Sequence, residues 1–197
     1  MSNETNRSTM ALINAVRLIF EEDVAMGTEA TPILERALVL MPELRLDAER
    51  SEAAQLPVCR HLSRTLDLGA TSRAAPVAAG IRDLQGTLSW EQSARHTVES
   101  RGAEFMDNYG YCGLGLTGST VLDVGIMLLG PGITYPVSSY PSEGVFLVIG
   151  GSPSWKSGES PWRCVDAGSI THRPADGAEG KRPGIEPMLA LYAWLSH

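Results

Sequence analysis

The chain has little of what the commonest metal and disulfide sites are made from. Cys59, Cys112 and Cys164 are its three cysteines, widely spaced and without a paired motif. That spacing excludes a disulfide framework or a zinc knuckle and suits a reducing cytoplasm, with three ordinary buried thiols as the expectation. The four histidines, His61, His96, His172 and His197, stand far apart in the chain, whereas an imidazole-based metal site needs its nitrogens to converge on one point. Basic residues form no stripe, and the net charge is −7 with a pI near 5.1. A nucleic acid or an anionic membrane surface is therefore not an expected partner. There is no long uncharged apolar run, and residues 1–7 are polar, so neither a signal peptide nor a transmembrane span is expected. Internal repeats and low-complexity tracts are also missing.

What is present describes one domain with a substantial core: 197 residues, 43% hydrophobic and 20% charged. Residues 8–84 read as helices. Ser8 or Thr9 can cap a first helix with Leu12, Ile13, Val16, Ile19 and Phe20 on one face, closed near Gly27. A second opens at Thr28 or Thr31 with Pro32 and stops near Pro42; a third runs from Pro57 to Gly69, and a fourth covers 71–84. From Trp90 onward, short apolar runs alternate with Gly, Pro, Ser and Asp, the texture of a sandwich or barrel. Strands are expected at 111–116, 121–129, 145–149, 154–156, 162–165, 169–172 and 188–194, with a further strand entering the proline-marked turn after Tyr135. Residues 175–187 read as the most loop-like part of the second half. The division that follows is 1–84 as helices packing on a barrel and 85–197 as the β-barrel, one structural unit.

The run Tyr135-Pro136-Val137-Ser138-Ser139-Tyr140-Pro141-Ser142-Glu143-Gly144-Val145-Phe146 is similar to the first signature of a cupin, and more narrowly resembles the dimethylsulfoniopropionate lyase family, where it reads Tyr-Pro-x-His-x-His-Pro-Ala-Glu-Glu-x-Tyr. Further pieces agree in order and spacing: Leu56-Pro57-Val58-Cys59, Phe105-Met106-Asp107-Asn108-Tyr109-Gly110, Gly158-Glu159-Ser160-Pro161-Trp162-Arg163, and the closing segment from Glu186 to Trp194. The resemblance implies a mainly β fold, a single cupin (double-stranded β-helix) barrel preceded by an N-terminal helical segment. In that family a divalent metal is held by three histidines and a glutamate, and a nearby tyrosine takes the proton during elimination. Laid over this chain, the first two histidine positions fall on Ser138 and Tyr140, the glutamate on Gly144 and the tyrosine on Phe146. The last histidine falls on Ala178 or Glu179. The resemblance thus supplies the scaffold without the ligands, and neither a metal nor another cofactor is expected.

Candidate catalytic residues are Tyr135, Tyr140, His172 and Glu179. On cupin geometry the two tyrosines turn inward as hydrogen-bond donors to a carbonyl or developing oxyanion. A phenol near its ordinary pKa of about 10 is a good donor and a poor base. His172 is the one histidine placed near the cavity, as a base. Glu179 offers acid–base chemistry if it enters the cavity, although its segment reads as a loop facing water; Glu143 is expected outside the barrel as a solvated charge. Tyr109, Ser138, Phe146, Trp155 and Trp194 are the candidate substrate-binding residues, with core packing the alternative for the aromatics.

The function expected is that of a metal-independent cupin enzyme of lyase, isomerase or cyclase type, acting on a small organic substrate through pocket shape and tyrosine hydrogen bonds. Secondary metabolism would suit it. The alternatives are a non-catalytic small-molecule binding cupin and a metal-dependent lyase with the unorthodox ligands His172, Glu179 and Tyr140. A homodimer is left open.

Overall fold

Leu12, Ile13, Val16, Ile19 and Phe20 recur at helical spacing and are all buried, which fixes helix α1 (Asn3–Met26) against the rest of the chain. The helix starts ahead of the expected cap: the Thr9 hydroxyl donates to the Thr5 carbonyl at 3.0 Å, one turn back. Gly27, at φ 68°, ends it in the left-handed region open to glycine. Helix α2 (Thr31–Leu40) carries Pro32 in its first turn, where a missing N–H costs nothing. Helix α3 (Leu62–Gly69) grows out of a 3-10 turn begun at Pro57, and α4 is Ala75–Leu84. The computed structural model describes residues 3–46 and 52–196; the first two residues of the polar start and His197 fall outside that range.

Two short helices, α5 (Val98–Arg101) and α6 (Ala103–Asp107), precede the barrel. The strands are β1 (Arg45–Leu46), β2 (Tyr109–Gly113), β3 (Leu116–Thr117), β4 (Leu122–Leu129), β5 (Tyr135–Ser139), β6 (Glu143–Gly150), β7 (Ser154–Ser157), β8 (Arg163–Cys164), β9 (Ile170–Arg173), β10 (Ala178–Arg182) and β11 (Met188–Leu195). They form a five-stranded sheet, β2-β4-β11-β6-β9, and a four-stranded sheet, β5-β10-β7-β8, both antiparallel, and β1 pairs with β3. The expected barrel with an N-terminal helical segment is what the chain forms.

One expectation fails at a place that matters. The segment 175–187, read as a loop, contains β10, which is the inner neighbour of both β5 and β7. The cysteines also divide: Cys112 is buried, Cys59 half-buried and Cys164 exposed, so one of the three is the buried thiol expected. Among the described residues, no helix is long and apolar enough to cross a membrane.

The five-stranded sheet is covered on both faces. Along β6, Val145, Leu147 and Ile149 join the helix-side core, while Phe146 and Val148 join the barrel core. β11 alternates likewise, with Leu189, Leu191 and Ala193 toward the helices and Ala190, Tyr192 and Trp194 toward the barrel. Helix α3 lies backbone-close to β6, and a Cβ on Gly150 would collide with the Thr65 carbonyl. The helices thereby hold one wall of the barrel interior in place.

Candidate functional site

Strand register decides which side chains meet inside the barrel. Across the four-stranded sheet, Tyr135, Lys181 and Trp155 stand in one row and Ser138, Glu179 and Ser157 in the next, with a register shift in the β5 pairing between Glu179 and Lys181. Across the five-stranded sheet, Tyr192, Phe146 and Thr171 form one row and Trp194, Gly144 and Arg173 another. Between the sheets lies a cavity of about 200 Å³. Tyr109, Tyr135, Tyr140, Phe146, Glu179 and Lys181 line it, with Tyr192 and Trp194 on the far wall and the exposed Asp123 toward the outside. A hollow of about 250 Å³ outside the barrel, by Leu68, Ser152 and Ile185, contains one ionisable side chain, Glu186. That carboxylate is already held by Arg64 at 2.5 and 3.0 Å, so the chemistry points to the barrel.

The residue composition there was only partly foreseen. Glu179 is not in a water-facing loop: on β10 it turns inward and is 2% exposed. Its Oε1 accepts from Lys181 Nζ at 2.8 Å and lies 3.6 Å from Arg173 Nε. Lys181 and Arg173 are each 1% exposed, so two cations and one carboxylate share a closed interior. Such a group survives only when its members satisfy one another. The Lys181 ammonium stands over the faces of Phe146, Trp155 and Tyr135, at 4.1, 4.6 and 5.3 Å from their centroids. Burial pushes its pKa down from the ordinary lysine range, with Glu179 opposing. Arg173 stacks 4.4 Å from the Trp194 centroid and donates to the carbonyls of Tyr140, Ser142 and Gly177. It thereby clips the β5–β6 turn to the loop before β10. Glu179 Oε2, Trp155 Nε1 and Thr171 Oγ1 are buried without a hydrogen-bond partner.

Sequence reasoning passed over Lys181 because its strand was read as a loop, and over Arg173 because it stands one residue past the strand expected at 169–172 and its partners lie elsewhere in the chain. One signal was available. The chain has only two lysines, Lys156 and Lys181, and a lysine two residues from a candidate glutamate shares its face on any strand.

His172 is not at the cavity. It pairs with Val145, which faces the helices, and its Nε2 lies 3.0 Å from Glu143 Oε1. Glu143, outside the barrel as expected, also binds Arg36 at 2.6 Å. The histidine beside the cavity is His96, 5% exposed and ringed edge-on by Phe105, Tyr109 and Tyr135. Arg101 Nε donates to His96 Nδ1 at 3.3 Å. A guanidinium cannot accept, so the neutral imidazole carries its proton on Nε2 and donates to the Tyr135 hydroxyl, also at 3.3 Å. Burial, reinforced by Arg101 and Arg95, pushes the His96 pKa down and keeps the ring neutral.

The Tyr135 and Tyr140 hydroxyls are 3.0 Å apart. Burial raises the Tyr135 pKa far above the phenol range and pushes Tyr109 up to about 12, so both keep their protons and can donate. Phe146 and Trp194 line the cavity at 5.0 Å from each other, and Trp155 lies behind Phe146. Ser138 donates to the Pro136 carbonyl at 3.2 Å and does not line the cavity.

A divalent metal does not fit these residues. Among the described residues, no three His, Cys, Asp or Glu side chains gather closely enough to hold one. The set His172, Glu179 and Tyr140 cannot converge, because His172 lies on the other side of the sheet. At the glutamate position, a Cβ on Gly144 would fall within the Trp194 ring. Beside these positions the barrel already holds two cationic side chains, which would repel a third positive charge.

The sequence profile of the dimethylsulfoniopropionate (DMSP) lyase family matches residues 32–190. No curated protein sequence matches the chain. Among solved structures, the fold is similar to one described as DMSP lyases RdDddP and RnDddQII, with a TM-score of 0.79 and 21% identity over 98% of this chain and 94% of that one. It is also similar to the DMSP lyase DddQ from Ruegeria pomeroyi DSS-3, with a TM-score of 0.70 and 20% identity over 90% of this chain and 91% of that one. At these identities the structural likeness speaks for the fold, while the profile spans most of the sequence: the chain belongs to the DMSP lyase family and is a lyase-like cupin.

Proposed function

We propose that this protein is a lyase that works without a metal, catalysing an elimination on a small organic molecule in the barrel cavity. The observation that carries this reading is the Glu179–Lys181 pair at 2.8 Å, a protein-borne acid–base couple beside the family's ligand positions. Family membership favours elimination over isomerisation or cyclisation. An elimination needs a group to take a proton from carbon, a donor for the charge that develops on oxygen, and a site that keeps water out. Glu179, with Oε2 unpartnered, is the candidate base. The hydroxyls of Tyr135 and Tyr140 are the candidate donors, with His96 fixing the orientation of Tyr135. Phe146, Tyr192 and Trp194 give the apolar walls.

The test is elemental analysis of the purified protein together with turnover of DMSP and other small organic acids before and after chelation. Substoichiometric metal and chelator-insensitive product formation are expected. A stoichiometric iron, zinc or manganese, with activity lost on chelation and restored by that metal, would overturn the proposal.

A further inference from the structure

The geometry points to Lys181 as a nucleophile that condenses with an aldehyde or ketone in the barrel cavity to form an imine, so that the ligand class of this site is a small carbonyl compound. This rests on the reading of the cavity as the reaction site and adds a covalent step to it.

Three observations bring the chemistry together. Lys181 lines the cavity and has a carboxylate, Glu179 at 2.8 Å, as its hydrogen-bond partner, with the rings of Phe146 and Trp155 beside its ammonium. A carboxylate at that distance takes a proton from the ammonium and leaves the amine free to attack. Glu179 is in turn anchored by Arg173, while its Oε2 is buried without a partner, a free position for a hydroxyl that must gain or lose a proton. Burial, and after it the nearby cation Arg173, ease the loss of the ammonium's proton, against Glu179, whose charge and hydrogen bond hold it.

The step balances without any co-reactant. The Nζ lone pair adds to the carbonyl carbon as the π electrons move to oxygen. A proton passes from nitrogen through Glu179 to that oxygen, giving a carbinolamine. Glu179, holding the proton it took from the ammonium, protonates the hydroxyl, and water leaves. The nitrogen lone pair closes the C=N bond as a protonated iminium, and the iminium N–H proton returns to the Glu179 carboxylate to leave the neutral imine. One carbonyl and one amine become one imine and one water. The imine withdraws electrons from the adjacent C–H bond, which is the activation an elimination requires.

The experiment uses the full-length protein, glyoxylate as the carbonyl probe and sodium cyanoborohydride to reduce any imine, read by intact mass and peptide mapping. The expected result is one adduct on Lys181 in the wild type, retained in Lys156→Arg, lost in Lys181→Arg, and formed at least tenfold more slowly in Glu179→Gln. Circular dichroism confirms that each variant is folded. Peptide mapping of the wild type tests the proposal even if a Lys181 variant fails to fold. A wild-type protein with no adduct, or with Lys156 and the N-terminal amine labelled as fast as Lys181, overturns the imine. Metal content measured on the same sample keeps the two readings apart: metal-free protein without an adduct loses the imine alone, whereas a stoichiometric metal removes the metal-free reading.

Discussion

At Gly144 the chain has exchanged a side chain for a neighbour's ring. A Cβ there would overlap Trp194, whose indole packs 5.0 Å from Phe146 and carries the Arg173 guanidinium on its face. Glycine, tryptophan and arginine at these positions are one arrangement, so restoring a glutamate at the family's ligand position cannot restore a ligand. Gly144→Glu is expected to destabilise the protein by at least ~1–3 kcal/mol through overpacking, since an added charge must also be buried. Urea denaturation measures it, and the double variant with Trp194→Ala, which opens the space, should lose less than the two single losses added together. Additive losses would show that the two residues do not compete for one volume. The resemblance sets Gly144, Tyr140 and Phe146 at the family's site positions on order and spacing alone. It could not disclose that Trp194, fifty residues downstream in sequence, fills the gap. His96 was hidden for the same reason: its partner Tyr135 lies on another element, and a lone histidine beside two arginines has no pattern of its own.

Strand β10 is the element on which the site turns and the one the sequence concealed. Strands β4, β6 and β11 announce themselves through apolar runs, because both of their faces are buried. Ala-Glu-Gly-Lys-Arg has no β-branched or aromatic residue and sits between prolines and glycines, so propensity argues for a loop. Pairing on both sides with β5 and β7 overrides it. What stabilises so polar a strand is mutual neutralisation of its inward side chains, and removing different members should cost different amounts. Glu179→Leu leaves Lys181 buried without its ion-pair partner and Arg173 with the field of Asp176 in place of a contact carboxylate, and is expected to cost ~3–5 kcal/mol. Lys181→Met leaves Glu179 with Arg173 and should cost less. The double variant Glu179→Leu/Lys181→Met should recover part of the Glu179→Leu loss, a coupling readable by guanidinium denaturation of all four proteins. Equal losses for the two single variants, adding in the double, would mean that the pair is not an electrostatic unit.

Across the whole molecule, one sheet serves two cores. Leu66 of α3 is fully buried against the same sheet that presents Phe146 and Tyr192 to the cavity from its other face. Hydrophobic periodicity made both the helix stripes and the strand runs legible, yet not this sharing, because periodicity says that a face is buried and not against what. The consequence is that the helices at 1–84 and the barrel at 85–197 should not unfold separately. Stripping the helices would expose Val145, Leu147, Ile149, Leu189 and Leu191 together, an apolar face too large to leave in water. Calorimetry of the full chain is therefore expected to show one transition, with van't Hoff and calorimetric enthalpies in agreement. Leu66→Ala, on the helix side, should lower stability by ~2–5 kcal/mol through the cavity it leaves. If the sheet is one mechanical body, that variant should also loosen the barrel, lowering the rate at which glyoxylate is trapped on Lys181 well below its melting temperature. Two resolved transitions, or a Leu66→Ala protein whose melting point falls while trapping is untouched, would show that the helical layer supports its own core and leaves the cavity to hold its shape without it.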